Sequence, residues 1–292
     1  MLGEIRGEVR FKEPLSFHTS LRIGGAADIF VVPQDLDDIR HALLFADREQ
    51  LPVVTIGGGN NLLVTDRGMR GVVLKLEGCL GRTEFNGEEA VAGAGASLSS
   101  LIREAAALNL GGIECLVGIP ATVGGALAMN ARSADGSIGD FVAAVYFLYP
   151  DGTIGEFKPG AGSFTYEAFQ APEGSVLVGC RLQLHRRPYA EIQRDIKQRL
   201  KRKKSTQPLA LASVGSVWKN PPGETAARLI EKSGLRGKRL NGAEISSKHT
   251  NFIVNRGGAG ANDVLALMQL TRDRVRTHFG VTLEPEIRII GE

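Results

Sequence analysis

Residues 55–63 read TIGGGNNLL, a short β run that ends in three consecutive glycines and two asparagines. Glycine permits positive φ and a close approach of the backbone, so the free amides of such a loop can bind a diphosphate without a lysine or arginine. The stretch is neither G-x-G-x-x-G nor a Walker loop, because no Gly-Lys-Ser/Thr follows it. On its own it fits a tight hairpin about as well as a ligand-binding loop.

Two further glycine-rich stretches lie in the same half of the chain. Residues 118–130 read GIPATVGGALAMN, and residues 91–97 read VAGAGAS. The small residues around Gly124 and Gly125 let the backbone lie against a ring or phosphate, and Asn130 offers amide hydrogen bonds. A buried turn between a strand and a helix explains the second stretch equally well. Three such elements together favour a large dinucleotide ligand.

The pattern of apolar and turn residues changes along the chain. Residues 35–49 have helical periodicity and residues 52–56 form a short β run, which indicates a small α/β unit. Between residues 71 and 184, short strands alternate with Gly, Asp and Asn turns. They surround a helix over 97–110, with Ser97 as its cap and Gly111-Gly112 as its stop. We expect this helix to pack on a sheet.

A boundary follows at Gln207-Pro208, because proline disfavours helical geometry in the residue before it. Beyond it, residues 224–233 and 262–278 are predicted helices, the second with Asn262 as its cap and five residues on one apolar face, namely Val264, Leu267, Met268, Thr271 and Val275. Residues 251–255 and 282–290 are predicted strands. The sequence therefore predicts a third, α+β unit whose last strand returns to the first.

Bulk composition is that of an ordinary globular protein. The chain has 292 residues, a formal net charge of +3 and 43% hydrophobic residues, so it is long enough for two or three cores. No apolar run approaches the roughly 20 residues of a membrane span, and the charged N-terminus does not resemble a secretory signal. We therefore expect a cytoplasmic protein.

Cysteines and histidines give no metal site. Cys79, Cys115 and Cys180 lie far apart, so they are expected to be reduced, buried thiols. The five histidines show no ligand spacing. His18 matches either a covalent tether for a flavin or an ordinary turn histidine.

Basic residues are concentrated in one segment. Residues 186–204 contain nine Lys or Arg against Glu191 and Asp195. This pattern fits either a solvated helix face or a surface that attracts an anionic ligand.

Two segments near the C-terminus carry polar groups that suit acid–base chemistry. Residues 213–221 read SVGSVWKNP, and no G-x-S-x-G elbow surrounds Ser216. In the segment EPEIR, period-two alternation puts Glu284, Glu286 and Arg288 on one face of a strand. That face either is exposed to solvent or forms a buried group of polar side chains, in which burial raises a carboxyl pKa.

Taken together, these segments resemble the UDP-N-acetylenolpyruvoylglucosamine reductases, and the resemblance covers nearly the whole chain. The matching stretches follow in order: TSLRIGGAAD (19–28), GGGNNLL (57–63), GIPATVGGALAMNA (118–131), GSVWKNP (215–221), ARLIEKSGLRG (227–237), ISSKHTNFIVN (245–255) and LEPEIRIIG (283–291).

The resemblance implies an α+β fold with a two-part FAD-binding module of the vanillyl-alcohol oxidase (PCMH-type) superfamily and a C-terminal α+β substrate domain. The expected divisions are 1–76, joined by the C-terminal strand 286–292, for the first FAD-binding subdomain, 77–187 for the second, and 188–285 for the substrate domain.

The resemblance also implies an activity, namely NADPH-dependent, FAD-mediated reduction of UDP-N-acetylglucosamine enolpyruvate to UDP-N-acetylmuramate in peptidoglycan precursor synthesis. The expected partner is this nucleotide sugar, with no nucleic acid, membrane or metal, and the expected state is a monomer. Ser216 matches the proton donor and Glu286 the catalytic glutamate. The expected substrate contacts are Tyr166, Asn220, Lys204 and Arg288. The expected FAD contacts are Arg22, Gly57, Gly58, Gly59, Asn60, Asn61, Leu62, Gly93, Gly118, Ile119, Pro120, Thr122, Gly124, Gly125, Asn130 and Val178.

One departure from the family pattern concerns catalysis. Where the family has Tyr-Arg-x-Ser-x-Phe, this chain has Tyr166-Glu167-Ala168-Phe169, so the catalytic arginine is missing. Losing a cation beside a developing carboxylate charge removes a few kcal/mol of transition-state stabilisation, and Arg132 is a hypothetical replacement. The chain is also short between Phe169 and Arg187, as in the compact branch of the family. Two alternatives remain: another FAD oxidoreductase of the superfamily, or a weakened paralogue that binds a nucleotide sugar or nucleic acid through residues 186–204.

Overall fold

The computed structural model describes residues 2–76, 78, 80–160, 164, 169 and 172–292. Six α-helices occur in this part of the chain: α1 (Leu36–Arg48), α2 (Leu98–Ala107), α3 (Val123–Ala128), α4 (Tyr189–Thr206), α5 (Ala226–Lys232) and α6 (Ala261–Phe279). The strands are β1 (Glu8–Pro14), β2 (Ala26–Val32), β3 (Val53–Ile56), β4 (Leu62–Val64), β5 (Met69–Lys75), β6 (Thr83–Asn86), β7 (Glu89–Gly93), β8 (Leu110–Gly111), β9 (Arg132–Ser133), β10 (Gly136–Ser137), β11 (Val142–Leu148), β12 (Ile154–Phe157), β13 (Val176–Gln183), β14 (His185–Arg186), β15 (Ala212–Ser216), β16 (Arg239–Leu240), β17 (Ala243–Ile245), β18 (Phe252–Asn255) and β19 (Arg288–Ile290).

The described residues divide into two compact units. The first consists of residues up to Phe11, then Ile29–Gly58 and Gly71–Lys203. It contains the five-stranded sheet β12-β11-β13-β7-β6 and most of the four-stranded sheet β1-β2-β5-β3. Side chains of α2 and α3 pack with those of β7 and β13 in one core, and α1 packs with β2 and β5 in another.

The second unit consists of Lys12–Asp28, Gly59–Arg70 and Lys204–Glu292. Its four-stranded sheet has the order β15-β18-β17-β16, and β19 pairs in parallel with β4. The core joins the buried Trp218 to apolar residues of α5 and α6. The predicted division into three domains is not tested by this partition and stays a prediction.

Several predicted elements are confirmed. The Asp35 carboxylate accepts hydrogen bonds from the first turn of α1, and the Ser97 hydroxyl caps α2. All five residues of the predicted α6 stripe are buried, and so are Leu98, Leu101, Ile102 and Ala105 on one face of α2. These helices form where the sequence places a capping side chain before a 3.6-residue apolar period.

The predicted end of α2 and the predicted cap of α6 were wrong. The helix α2 ends at Ala107 because Asn109 takes a left-handed conformation with φ of 58°, which asparagine tolerates better than most residues. The cap of α6 is Gly260, not Asn262. The Asp66 carboxylate, distant in sequence, accepts hydrogen bonds from the N–H groups of Ala261 and Asn262 at 2.7 and 3.1 Å.

The predicted strand over residues 282–290 is also wrong in its first two thirds. Only Arg288–Ile290 forms a strand, and Pro285 makes an isolated bridge to Trp218. Proline lacks the N–H group that a ladder needs. The alternation that placed Glu284, Glu286 and Arg288 on one face therefore does not hold. In the described part of the chain, no helix is long and apolar enough to cross a membrane.

Candidate active site

The loop after β3 begins with Gly57 and Gly58, and a threonine packs against the first of them. A Cβ atom on Gly57 would lie 2.3 Å from the Thr122 Oγ1, so only glycine fits there. Among the described residues, no hydrogen bond uses the N–H group of Gly57 or Gly58. Free adjacent amides are donors that a phosphate oxygen can accept from. The hairpin alternative for this loop is wrong, because β3 pairs with β5 and β4 pairs with β19.

The first turn of α3 uses its amides within the protein. Each of three consecutive N–H groups has an acceptor: Val123 donates to the Ala96 carbonyl at 2.8 Å, Gly124 to the Ala94 carbonyl at 2.8 Å, and Gly125 to the Thr122 Oγ1 at 3.2 Å. The N-terminus of this helix therefore does not offer free amides, and any cofactor contact at Gly124 or Gly125 would be made by their α-carbons.

Other glycines of this unit are required by close packing. A Cβ on Gly124 would lie 2.8 Å from the Cβ of Ala94, and a Cβ on Gly93 would lie 2.2 Å from the Leu80 carbonyl oxygen. Gly118 has φ of +75°, and the Lys203 side chain covers its α-carbon. We call Gly57, Gly93, Gly118 and Gly124 the glycine cluster.

Four further predicted cofactor residues lie in the first unit, namely Asn130, Val178, Ile119 and Pro120. The buried Asn130 accepts a hydrogen bond from the Gly139 N–H at 3.1 Å through its Oδ1. Val178 is buried and its carbonyl accepts from the Ala94 N–H at 2.8 Å. Ile119 packs partly buried against the α2 core, whereas Pro120 is exposed.

In the second unit, a β-bulge positions Ser216. The strand β15 pairs Ser213 with Val254 and Ser216 with Phe252, and the register shifts between these pairs. Gly215, with φ of +81°, lies inside the shift. A bulge of this kind re-aims the side chain that follows it. Ser216 is therefore a strand-end residue that is half-buried and held by the sheet.

Glu286 is held beside the strand that carries Ser216. Its N–H donates to the Val217 carbonyl at 2.8 Å, and its own carbonyl accepts from the Asn61 Nδ2 at 3.0 Å. The Arg288 N–H then donates to the Asn61 carbonyl at 2.9 Å. These bonds join three segments that are far apart in sequence, and we call Ser216, Val217, Asn61 and Glu286 the Ser216 cluster.

The residues around this cluster are fixed by further backbone contacts. A Cβ on Gly59 would lie 2.0 Å from the His18 carbonyl oxygen. The Ser20 Oγ donates to the Ser213 carbonyl at 2.7 Å, and a Cβ on Gly215 would come within 3.9 Å of the Asn60 carbonyl oxygen. The segment 59–61 therefore lies beside the bulge that carries Ser216.

The predicted substrate residues are placed differently. The Asn220 Oδ1 accepts from the Ala226 N–H at 2.9 Å, at the start of α5. Lys204 is exposed, and its carbonyl accepts from the Lys248 Nζ at 2.6 Å. Arg288 is exposed in β19, where it pairs with Leu62. Tyr166 lies outside the described residues, as do Glu167 and Ala168. Their roles stay predictions.

Arg22 and His18 complete the set of predicted positions in the second unit. Arg22 is exposed and adopts φ of +58°, with its N–H bonded to the Thr19 carbonyl. The His18 Nε2 lies 2.9 Å from the Glu13 Oε1, inside a short 3₁₀ turn. This contact supports the turn interpretation of His18.

Two thiols are buried as predicted. Burial raises the pKa of the Cys180 thiol to about 12. Burial, reinforced by the neighbouring Glu114 carboxylate, raises the pKa of the Cys115 thiol to about 11. Thiols with such pKa values carry almost no thiolate at neutral pH, so neither is a nucleophile. Cys79 lies outside the described residues.

Two residues that sequence reasoning missed support the site. The buried Asn251 uses both side-chain atoms on Trp218: its Oδ1 accepts from the Trp218 N–H at 3.0 Å, and its Nδ2 donates to the Trp218 carbonyl at 2.8 Å. Its carbonyl also accepts from the Val217 N–H. The second residue is Lys203, which follows Ile192, Ile196 and Arg199 at helical spacing in α4. That period was readable in the sequence, whereas no local signal marks Asn251.

Comparison with known proteins covers both units. Residues 207–290 match the family described as UDP-N-acetylenolpyruvoylglucosamine reductase, C-terminal domain, and residues 27–158 match an FAD binding domain. A protein named UDP-N-acetylenolpyruvoylglucosamine reductase from an Anaeromyxobacter species is 45% identical over 290 residues, covering 99% of this chain and 90% of that protein. UDP-N-acetylenolpyruvoylglucosamine reductase 2 of Symbiobacterium thermophilum is 42% identical, covering 98% and 93%.

Solved structures show the same relationship to this family. The UDP-N-acetylenolpyruvylglucosamine reductase from Thermus caldophilus has a TM-score of 0.84 and 35% identity, covering 98% of this chain and 100% of that one. Cholesterol oxidase from Brevibacterium sterolicum has a TM-score of 0.50 and 16% identity, covering 64% and 39%, a likeness of fold alone. The predicted fold class, with a PCMH-type FAD module, is confirmed.

Proposed function

The chain belongs to the UDP-N-acetylenolpyruvoylglucosamine reductase family, and on that premise we propose how its residues perform the reaction. The protein is an oxidoreductase of peptidoglycan precursor synthesis. It uses FAD and NADPH to reduce UDP-N-acetylglucosamine enolpyruvate to UDP-N-acetylmuramate. Sequence similarity over nearly the whole chain supports the activity, and the link between Glu286 and the Ser216 strand supports the assignment of roles.

The first unit has features that fit a flavin nucleotide. The amides of Gly57 and Gly58 have no protein acceptor among the described residues, and a side chain at position 57 would meet Thr122. Such an arrangement lets an anionic diphosphate approach the backbone. Bound FAD would supply the hydride chemistry, by accepting a hydride from NADPH and passing it to the substrate. Gly57, Gly58 and Thr122 would hold it.

Ser216 and Glu286 carry the proton chemistry. Hydride addition to the terminal carbon of an enol ether leaves negative charge on the neighbouring carbon and its carboxylate, and this charge must be quenched by a proton. The Ser216 hydroxyl donates that proton to the carbon. A serine hydroxyl is too weak an acid to act alone, so the Glu286 carboxyl returns a proton to the Ser216 oxygen. The bulge and the bond to Val217 hold the two residues in place.

A cation must stabilise the carboxylate charge that develops on the substrate. The family arginine has no counterpart at Tyr166-Glu167, and Arg132 in β9 is our proposal for its replacement. If so, Arg132→Ala lowers turnover by the roughly 10²-fold or more that loss of one stabilising donor costs. Unchanged turnover in that variant, with activity abolished in Ser216→Ala, would reject the replacement.

The activity is tested by mixing the purified holoenzyme with its substrates without oxygen. We expect one equivalent of NADPH to remove the visible absorbance of the oxidised flavin. Adding UDP-N-acetylglucosamine enolpyruvate should restore it. Bleaching without recovery would indicate a different FAD oxidoreductase, and a protein without flavin would contradict the assignment.

We further propose that the protein works as a monomer in the cytoplasm. The free thiols of Cys115 and Cys180 suit a reducing compartment, and the substrate is a nucleotide sugar. Light scattering coupled to size-exclusion chromatography would give a mass near 31.2 kDa for a monomer, and twice that value would exclude it. Activity recovered in a membrane fraction would contradict the location.

A further inference from the structure

The lysine Lys203 differs from the other basic residues of α4. Its neighbours Lys201, Arg202 and Lys204 are exposed, whereas Lys203 is half-buried because it continues the buried stripe of Ile192 and Ile196. Residues spaced three or four apart lie on one helix face. The helix therefore directs one cation of this basic segment towards the protein.

The Lys203 side chain lies against Gly118. A Cβ atom on Gly118 would be 3.0 Å from the Lys203 Cδ and 3.6 Å from its Nζ, and 3.1 Å from the Leu200 Cδ2. Gly118 has φ of +75°, a conformation that favours glycine. The ammonium group is thus held beside a backbone turn that has no side chain of its own.

In the part of the chain that the structure describes, no carboxylate pairs with this ammonium. Lys203 makes neither an ion pair nor a hydrogen bond with any described residue. Arg199 pairs with Asp135. Burial, reinforced by Arg199, lowers the pKa of Lys203 to about 8. An unpaired, partly desolvated cation is unfavourable unless an anion binds to it.

We propose that Lys203 binds a diphosphate oxygen of a bound nucleotide at the Gly118 turn. The preferred source is the diphosphate of FAD, since Gly118 lies four residues before Thr122, which packs against Gly57. The diphosphate of the sugar nucleotide has the same chemistry and is the second source. The inference rests on the proposed function, because it takes the bound nucleotides from it.

The test compares Lys203→Met with the matched control Lys201→Met, an exposed lysine on the same helix. The flavin is removed from the full-length protein, and FAD is titrated back while its fluorescence is followed. We expect the Kd for FAD to rise about tenfold to a hundredfold in Lys203→Met, as for loss of a charge-assisted hydrogen bond. Lys201→Met should leave it within about twofold, and Lys203→Arg should restore most of the affinity.

Two further measurements separate a binding role from a structural one. Lys203→Met removes an unpaired charge, so the flavin-free variant should melt at the wild-type temperature or above, while stabilisation by FAD decreases. Binding of UDP to the holoenzyme, measured by calorimetry, identifies the second source if it weakens while FAD binding does not. Unchanged binding of both ligands would overturn this inference but would leave the proposed function standing. Failure of the wild-type protein to bind FAD would overturn the proposed function as well.

Discussion

The glycine cluster and the Ser216 cluster are built by opposite means. In the glycine cluster, side chains are absent where Thr122, Ala94 and the Leu80 carbonyl approach the backbone. In the Ser216 cluster, hydrogen bonds to backbone carbonyls join residues 61, 217 and 286. A position where no side chain fits must be glycine, so the sequence shows it. A backbone carbonyl can accept a hydrogen bond whatever its residue type, so the sequence does not show such a bond. The difference explains why glycine stretches were recognisable from the residues alone, whereas the neighbours of Ser216 were not.

The largest effect is expected from the Ser216 cluster. Glu286→Gln keeps the backbone bonds to Val217 and Asn61 but removes the acid, so turnover should fall by about 10²–10³-fold, within the usual range for a general acid. The Kd for FAD should not change. Glu284→Gln is the control, because Glu284 lies two residues away and its exposed side chain forms an ion pair with Lys219. Equal losses in both variants would mean that Glu286 has no special role.

The support of the Ser216 cluster is tested by Asn251→Ala. This change leaves the buried N–H and carbonyl groups of Trp218 without their partners, and the free energy of unfolding should fall by about 3 kcal/mol. Chemical denaturation measures it. A loss below about 0.5 kcal/mol, the level of ordinary surface substitutions, would show that water replaces the amide.

The glycine cluster is tested by a double-mutant cycle. Gly57→Ala places a methyl group against the Thr122 hydroxyl, and overpacking of this kind should cost about 2 kcal/mol of stability and weaken FAD binding. In the Thr122→Ala background the same change should cost much less, since the clashing oxygen is gone. Additive effects in the cycle would contradict the close contact. Gly3→Ala is the control, because a Cβ there meets no described atom within 4 Å.

The smallest effect is expected at the fully buried Asp38, which belongs to neither cluster. Burial raises the pKa of its carboxyl, but hydrogen bonds from the N–H groups of Arg6, Gln34 and Gly7 outweigh burial and leave the pKa below its usual value. A depressed folded-state pKa contributes stability above the unfolded-state pKa of about 3.9, and this stability is lost as the pH falls through the folded value. Asp38→Asn should lower the free energy of unfolding by about 1 kcal/mol at pH 7. In the variant, this free energy should also decrease less steeply as the pH falls below roughly pH 4. An equally steep decrease of the free energy of unfolding in both proteins at low pH would contradict this.

The helices and most strands could be predicted because caps, apolar periods and glycines are local signals, whereas the FAD-binding fold class was implied by the resemblance to the family. Ser97 was recognisable as a cap from its own neighbourhood, and the stripe of α6 from its period. The cap of α6 was misplaced because Asp66 is almost two hundred residues away, and the strand at 282–290 was overextended because the alternation ignored Pro285.

For the site, residue types alone did not identify the supporting contacts. The basic segment of α4 was recognised by its charge, but helical period distinguishes the half-buried Lys203 from the exposed Lys204. The carboxylate–serine arrangement depended on the resemblance to the family, because the register of β15 contains a bulge that no period-two pattern predicts.

Anaerobic stopped-flow absorbance separates the two half-reactions in wild type and in Ser216→Ala, and it tests the role of Ser216 most directly. We expect NADPH to remove the flavin absorbance at the same rate in both proteins. We expect the enolpyruvyl substrate to restore this absorbance at least roughly 10²-fold more slowly in the variant. Restoration at the wild-type rate, or equal slowing of both steps, would contradict Ser216 as the proton donor.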